Sequence, residues 1–303
     1  MKLLRYGTPG KEKPGLLDSR GSIRSLVGIV DDIGGEALSA ASLDKLRTID
    51  PETLSLVGTP SRGGQTSPSS AAWLAEPTEG EPIRIGPCVS RVGKFIAIGL
   101  NYSEHAAETN AKVPDEPVMF MKATSGINGP YDDIVIPRGS KKTDWEVELG
   151  VVIGERAKYV SEADALEYVA GYCTVHDVSE REFQLERGGT WDKGKCCDTF
   201  GPIGPWLVTK DEVPNPQNLP LWLEVDGRRY QNGNTHTMIF TVKKLVSYLS
   251  QFMSLLPGDI ITTGTPSGVG MAQKPTPIYL HPGQTVRLAV EGLGEQQQRT
   301  VGE

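Results

Sequence analysis

From Cys88 onward, short apolar runs alternate with turn residues. The runs are Phe95–Leu100, Val118–Met121, Ile134–Ile136, Trp145–Ile153, Tyr172–Val178, Leu221–Val225, Ile260–Thr263 and Val286–Val290. Runs of this length, bounded by Gly, Pro, Asn and Asp, predict strands. Trp145–Ile153 changes character midway. It alternates apolar and acidic residues up to Leu149, and then Gly150–Ile153 has no polar residue on either face, as in a strand covered on both sides. Two segments follow helical spacing instead. Ser161 precedes EADALEYVA with Asp164 three residues on, in the manner of a capping box. The stretch from Val242 to Leu255 repeats through Leu245, Leu249, Phe252 and Leu256 and runs into Pro257-Gly258. Many strands and few helices predict an α+β or mixed-β chain. No internal repeat is found.

The first residues, to about 58, read as a small unit. Lys2–Tyr6 suits a strand, Pro14-Gly15 and Ser19-Arg20-Gly21 punctuate hairpins, and Leu38 to Leu46 is weakly helical. Residues 59–82 are rich in Ser, Thr, Pro and Gly and read as a linker or long loop, pinned by Trp73-Leu74. The expected division is a small N-terminal domain with its linker over residues 1–82 and a larger catalytic domain over 83–303. Composition agrees. The 35 glycines and 22 prolines among 303 residues exceed the usual share without a collagen period, which favours many turns over a helical bundle. Hydrophobic residues at 38% and charged residues at 23% argue against global disorder. A net charge of −7 disfavours nucleic acid and anionic membranes as partners. No apolar run nears the ~20 residues of a membrane helix, and MKLLRYG lacks a signal-peptide core. The four cysteines, Cys88, Cys173, Cys196 and Cys197, form no CxxC, which suits reduced thiols and a cytoplasmic protein.

Several residue groups could carry chemistry. On a strand, Glu146 and Glu148 share one face, about 7 Å apart. They read either as a wet face or as a cation site, because two carboxylates entering a buried strand repel unless a cation separates them. Carboxylates suit hard cations such as Mg²⁺, Mn²⁺ or Ca²⁺. Asp177 ends another strand and offers a third carboxylate, while its neighbour His176 should face the other way. His105 and Glu108 stand at i and i+3, so on a helical segment they are neighbours, either a surface pair or an oriented general base. Lys193 and Lys195 lie in a glycine-bearing loop that is either solvated or supplies a substrate-binding cation. Thr262–Gly270 could offer backbone N–H groups to an anion or could be a structural turn.

In combination these segments resemble the fumarylacetoacetate hydrolase family. The motifs are GLNYxxHAxE from Gly99, DWEVELGVVIG from Asp144, HDVSEREFQ from His176, GKCCDTFGPIGP from Gly194 and GDIITTGTPSGVG from Gly258, together covering roughly residues 88–290. The resemblance implies a catalytic domain of rolled β-sheets, a smaller N-terminal domain, a divalent metal and a homodimer or dimer-based oligomer. It makes Glu146, Glu148 and Asp177 metal ligands, Mg²⁺ being expected and Mn²⁺ or Ca²⁺ possible. His105 and Glu108 match a water-activating dyad and Lys195 a catalytic lysine. Arg181, Gln184 and Thr265 fall on substrate-contacting positions, and Lys122 on a lysine near the site. His176, Glu180 and Cys196-Cys197 depart from the commonest family pattern. The stretch from Ser179 to Phe240 resembles bacterial hydrolases of 2,4-diketo-3-deoxy sugar acids of the L-rhamnonate or L-fuconate type. The implied activity is hydrolysis of the C3–C4 carbon–carbon bond to pyruvate and a hydroxy acid such as lactate. Ureidoglycolate lyase, acylpyruvate hydrolase, oxaloacetate decarboxylase and a non-enzymatic metabolite-binding relative are the alternatives.

Overall fold

The computed structural model describes residues 1–61, 82–109 and 111–303. Most of the expected linker, with Trp73-Leu74, lies outside the described residues.

Val147–Ile153 is buried at every position, and its two faces serve different cores. Val147, Leu149, Val151 and Ile153 join one apolar cluster, Val152 the other. Glu146, Glu148 and Gly150 share the face of Val152 by the period-2 rule. Gly150 is required there, since a Cβ would lie 2.6 Å from Val175 and 2.9 Å from the Cys173 sulfur. The strand pairs antiparallel with Val169–His176 on one side and Ile260–Thr262 on the other.

Among the described residues, eleven strands form one sheet. Its order is Leu56–Gly58, Ile23–Ser25, Lys13–Leu17, Lys2–Tyr6, Gly201–Thr209, Val169–His176, Val147–Ile153, Ile260–Thr262, Phe95–Gly99 and Val118–Lys122, with Ile127–Asn128 pairing Gly201–Thr209 off this path. The N-terminal hairpins thus extend the same sheet, and Leu3, Leu16 and Leu26 pack in one cluster with Val152, Cys173 and Leu207. A second sheet of five strands runs in the order Arg228–Asn234, Pro220–Val225, Thr285–Val290, Glu295–Gly302 and Ile134–Ile136. Its inward residues Leu221, Leu223, Val286 and Leu288 cover Val147, Leu149 and Val151, so the second sheet covers one face of the central strand, while Leu38, Leu43 and Leu46 share the cluster on the other. The chain is sheet-dominated α+β with few helices, as its apolar runs predict.

Among the strands of seven or more residues, three lie outside the expected set. Gly201–Thr209 is buried throughout despite two glycines and two prolines. It is accommodated by a register shift against Val169–His176 between Tyr172 and Thr174, the kind of irregularity that admits proline within a sheet. Arg228–Asn234 and Glu295–Gly302 look too polar for strands. The buried Gln296 and Gln298 of the latter spend their amides on main-chain carbonyls of Thr174, Gly204 and Pro130. The helix expected after Ser161 is only a single turn, Ala165–Tyr168. The Ser161 hydroxyl does donate to Asp164, at 2.7 Å, but Val169 onward is claimed by the sheet. The second helix holds as Val242–Phe252, with Leu245 and Leu249 fully buried, and Phe252 and Leu256 are exposed rather than part of its stripe.

Candidate active site: a buried carboxylate centre

Strand pairing brings the carboxylates together. His176 lies opposite Val147, and the next residue, Asp177, donates its N–H to the Glu146 carbonyl at 2.9 Å. Opposed residues of an antiparallel pair share a face, so Asp177 joins Glu146 and Glu148. Ligand oxygens of the three lie within 4.8 Å of one another, and all three side chains are buried. His176 points the opposite way, with Nδ1 3.1 Å from Gln298 Oε1, and burial pushes it down to about 3.

Three cations interleave with the acids. Lys195 Nζ donates to Glu146 Oε2 at 2.6 Å and to Asp177 Oδ2 at 2.7 Å. Lys122 Nζ donates to Asp177 Oδ1 at 2.5 Å and to the Lys195 carbonyl at 2.7 Å. Arg181 reaches Glu146 Oε1 at 2.6 Å and Asp144 Oδ2 at 2.9 Å. Although burial disfavours both charges, the ammonium of Lys195 and the guanidinium of Arg181 hold Glu146 well below the usual carboxylate range. The same carboxylates, Asp177 and Glu146, hold Lys195 above its ordinary value against its burial. Glu148 has no such cation. Burial, and then the charges of Asp177 and Glu146, push it well above the usual range. Every hydrogen bond it accepts, from the Thr262 hydroxyl and from Gly264 N–H at 2.7 Å, goes to Oε2.

This donor set fits a hard divalent cation. All the donors are carboxylate oxygens. Each oxygen of Glu146 and Asp177 accepts one hydrogen bond and retains a lone pair, and Oε1 of Glu148 has both. Counting Asp144, four buried carboxylates face three buried cations, so once Glu148 is ionised one negative charge is left for a cation to offset.

His105 and Glu108 sit on the short helix Ser103–Glu108, with Nδ1 2.7 Å from Glu108 Oε1. Glu108 also accepts from Gly268 N–H at 2.9 Å. A carboxylate on Nδ1 fixes the proton there and leaves Nε2 with its lone pair. The glycine-rich segment after Thr262 therefore binds anions, but they are the protein's own. Gly264, Gly268 and Gly270 donate to Glu148, Glu108 and Asp144 respectively. Gly268 has φ +106, and a Cβ there would lie 2.0 Å from the Tyr230 carbonyl.

His105, Glu146, Glu148, Asp177, Gln184, Lys195 and Thr265 line one cavity of about 190 Å³. Arg181 and Lys122 do not line it. Their charged groups are held in buried ion pairs with Asp177, Asp144 and Glu146. Thr265 reaches the wall with its hydroxyl already donating to the Val147 carbonyl at 2.9 Å. Gln184 accepts from Arg181 through Oε1 at 3.0 Å, which leaves its NH₂ group free to donate. Lys195 is buried rather than solvated, on the helical turn Asp192–Lys195. Sequence reasoning missed Asp144, whose carboxylate accepts from Arg181 and from the N–H groups of Trp145, Gly270 and Met271. The signal was present, since Asp144, Glu146 and Glu148 continue one period-2 series. Trp191 was missed as well. It packs so closely on Gly99 that a Cβ there would lie 2.2 Å from its ring.

Sheet architecture and a buried acidic triad able to hold a divalent cation, beside a histidine–glutamate pair, characterise this α+β protein. The chain belongs to the fumarylacetoacetate hydrolase family, whose C-terminal domain model matches residues 94–301. Enzymes of this family act on small molecules and commonly use divalent metals. A provisionally named hydrolase of Burkholderia orbicola is 64% identical over 300 residues, covering 99% of each chain. Fumarylacetoacetate hydrolase from Exiguobacterium antarcticum has a similar structure, with TM-score 0.82 and 27% identity over 100% of both chains. So does 5-carboxymethyl-2-hydroxymuconate delta-isomerase from Mycobacterium smegmatis, with TM-score 0.72 and 29% identity over 100% of this chain and 99% of that one. Both hydrolases and isomerases thus share this fold. No helix among the described residues is long and apolar enough to cross a membrane.

Proposed function

We propose that this protein is a metal-dependent hydrolase that cleaves the C3–C4 bond of a 2,4-diketo acid, a 2,4-diketo-3-deoxy sugar acid being the preferred type. The observation that carries this reading is one cavity lined by both an oriented His105–Glu108 pair and the Glu146, Glu148, Asp177 and Lys195 cluster. The first is equipped to activate water, the second to stabilise an enolate.

Glu146, Glu148 and Asp177 would hold Mg²⁺, with Mn²⁺ or Ca²⁺ as substitutes, and the ion would supply Lewis-acid polarisation of the substrate's 2-keto acid end. The free NH₂ of Gln184 donates to the same end. His105 Nε2 takes a proton from water, its other nitrogen held by Glu108, and the hydroxide oxygen adds to C4. The C3–C4 bond then breaks. C4 leaves in the new carboxylic acid, and the electron pair passes to C3 as the enolate of pyruvate. The ammonium of Lys195, fixed by two carboxylates, faces that developing negative charge. His105 returns its proton to C3, giving pyruvate.

The test is a screen of the Mg²⁺-loaded protein against acylpyruvates, 2,4-diketo-3-deoxy sugar acids, oxaloacetate and ureidoglycolate, reading pyruvate and glyoxylate. A 2,4-diketo acid should give the highest kcat/KM. Faster release of glyoxylate from ureidoglycolate would replace this reading with a lyase, and turnover of oxaloacetate alone would replace it with a decarboxylase.

A further inference from the structure

The cavity's charges are all at the carboxylate centre. Among the described residues, the wall beyond that centre and His105 is uncharged, with Leu100, Phe120, Leu185, Trp191 and Met271 apolar and Thr109 neutral. Among the described residues the sole lysine or arginine on the wall is Lys195, and two bonds to Glu146 and Asp177 hold its ammonium at the centre. The volume of about 190 Å³ is below the ~300–1,000 Å³ of drug-sized ligand pockets, so a small acid must have nearly all its groups against this wall. The buried charges, four carboxylates against three cations, become singly positive with a divalent ion present and Glu148 ionised. One substrate carboxylate neutralises that excess, whereas a second would be desolvated against apolar side chains with no counter-charge.

We propose that the site selects monocarboxylates with an uncharged tail and rejects acids carrying a second carboxylate at the far end. This deepens the reading above and rests on it for the orientation of the 2-keto acid end. The neutral wall, Leu185 and Met271 included, is the specificity determinant.

The test uses the Mg²⁺-loaded full chain and a pair of ligands that do not need to react. By titration calorimetry, 2-oxopentanoate should bind at least about 100-fold more tightly than 2-oxopentanedioate, the low end of what an uncompensated buried charge costs. Leu185 is 46% exposed, so Leu185→Lys is compatible with folding. It should raise 2-oxopentanedioate affinity at least tenfold and leave 2-oxopentanoate affinity within a few-fold. Equal affinity of the wild-type protein for the two acids, or tighter binding of the dicarboxylate, overturns the proposal. Cleavage of 2,4-dioxopentanoate to pyruvate, measured alongside, reports separately on the hydrolase reading. Loss of cleavage with the binding preference intact would overturn that reading alone.

Discussion

Replacing Glu148 by Gln separates the two things this carboxylate does, and the two effects should have opposite signs. Thr262 and Gly264 both donate to Oε2, so the glutamine carbonyl can retain both bonds while its NH₂ turns toward Asp177 and Glu146. In the metal-free protein the variant should therefore be at least as stable as wild type. Metal binding should suffer. For the wild type, a cation at a hundred times its Kd stabilises by about 2.7 kcal/mol, which in a chain of this size raises Tm by about 5 °C. Loss of a direct ligand should weaken binding by at least about 100-fold, since even outer partners of ligands are worth 10–100-fold. At the same cation concentration the remaining stabilisation is then about 0.4 kcal/mol, less than 1 °C. Differential scanning fluorimetry after chelator treatment, with and without Mg²⁺ or Mn²⁺, reads both effects. Glu148 also predicts a pH trend. Its value in the folded protein lies well above the ordinary 4.5, so the metal-free fold retains a proton that the unfolded chain releases. Its contribution is fully present below about pH 4.5 and falls as pH rises through the folded value, by at most about 1.4 kcal/mol per pH unit. Glutamine does not titrate, so metal-free Glu148→Gln should gain on wild type as pH increases. An unchanged metal-induced Tm shift in the variant, or a sharp loss of metal-free stability at neutral pH, would refute the assignment of the centre.

His105→Ala should lower kcat by about 10²–10⁴, the usual worth of a general base, while calorimetry shows metal affinity unchanged, because the imidazole pairs with Glu108 and not with the carboxylate centre. Asp144→Asn removes the charge opposite Arg181 and one of the two oxygens that accept from Arg181, Trp145, Gly270 and Met271, so metal affinity should fall about 10–100-fold through the loosened Glu146. A variant with wild-type affinity would show that Asp144 is purely architectural. Gly268→Ala forces a Cβ against the Tyr230 carbonyl and displaces the N–H that anchors Glu108, so Tm and kcat should fall together. An unaffected Tm would mean that the segment adapts freely.

The amino-acid order alone determined that this is a strand-rich α+β chain and where most strands lie, because an apolar run between turn formers has few other uses. It also determined the same-face pairing of Glu146 and Glu148, which the period of a strand imposes whatever it packs on, and the neighbourhood of His105 and Glu108 on one helical turn. The family was legible from the combined motifs. What required tertiary structure were matters of distance along the chain. Asp177 meets Glu146 only because Val147–Ile153 and Val169–His176 pair in one particular register. Gly201–Thr209 became a central strand against its proline content because neighbours on both sides supplied partners and a register shift accommodated it. Single-residue chemistry left the lysines and Arg181 undecided between solvent, substrate and scaffold. Burial removed the first option, since a desolvated cation must spend its donors on the nearest carboxylates, and this holds Lys122 and Arg181 in buried ion pairs and Lys195 on the cavity wall. The glycine-rich segment reads as an anion loop in sequence, and only the fold shows that the anions are Glu148, Glu108 and Asp144, brought from strands and a helix more than a hundred residues away.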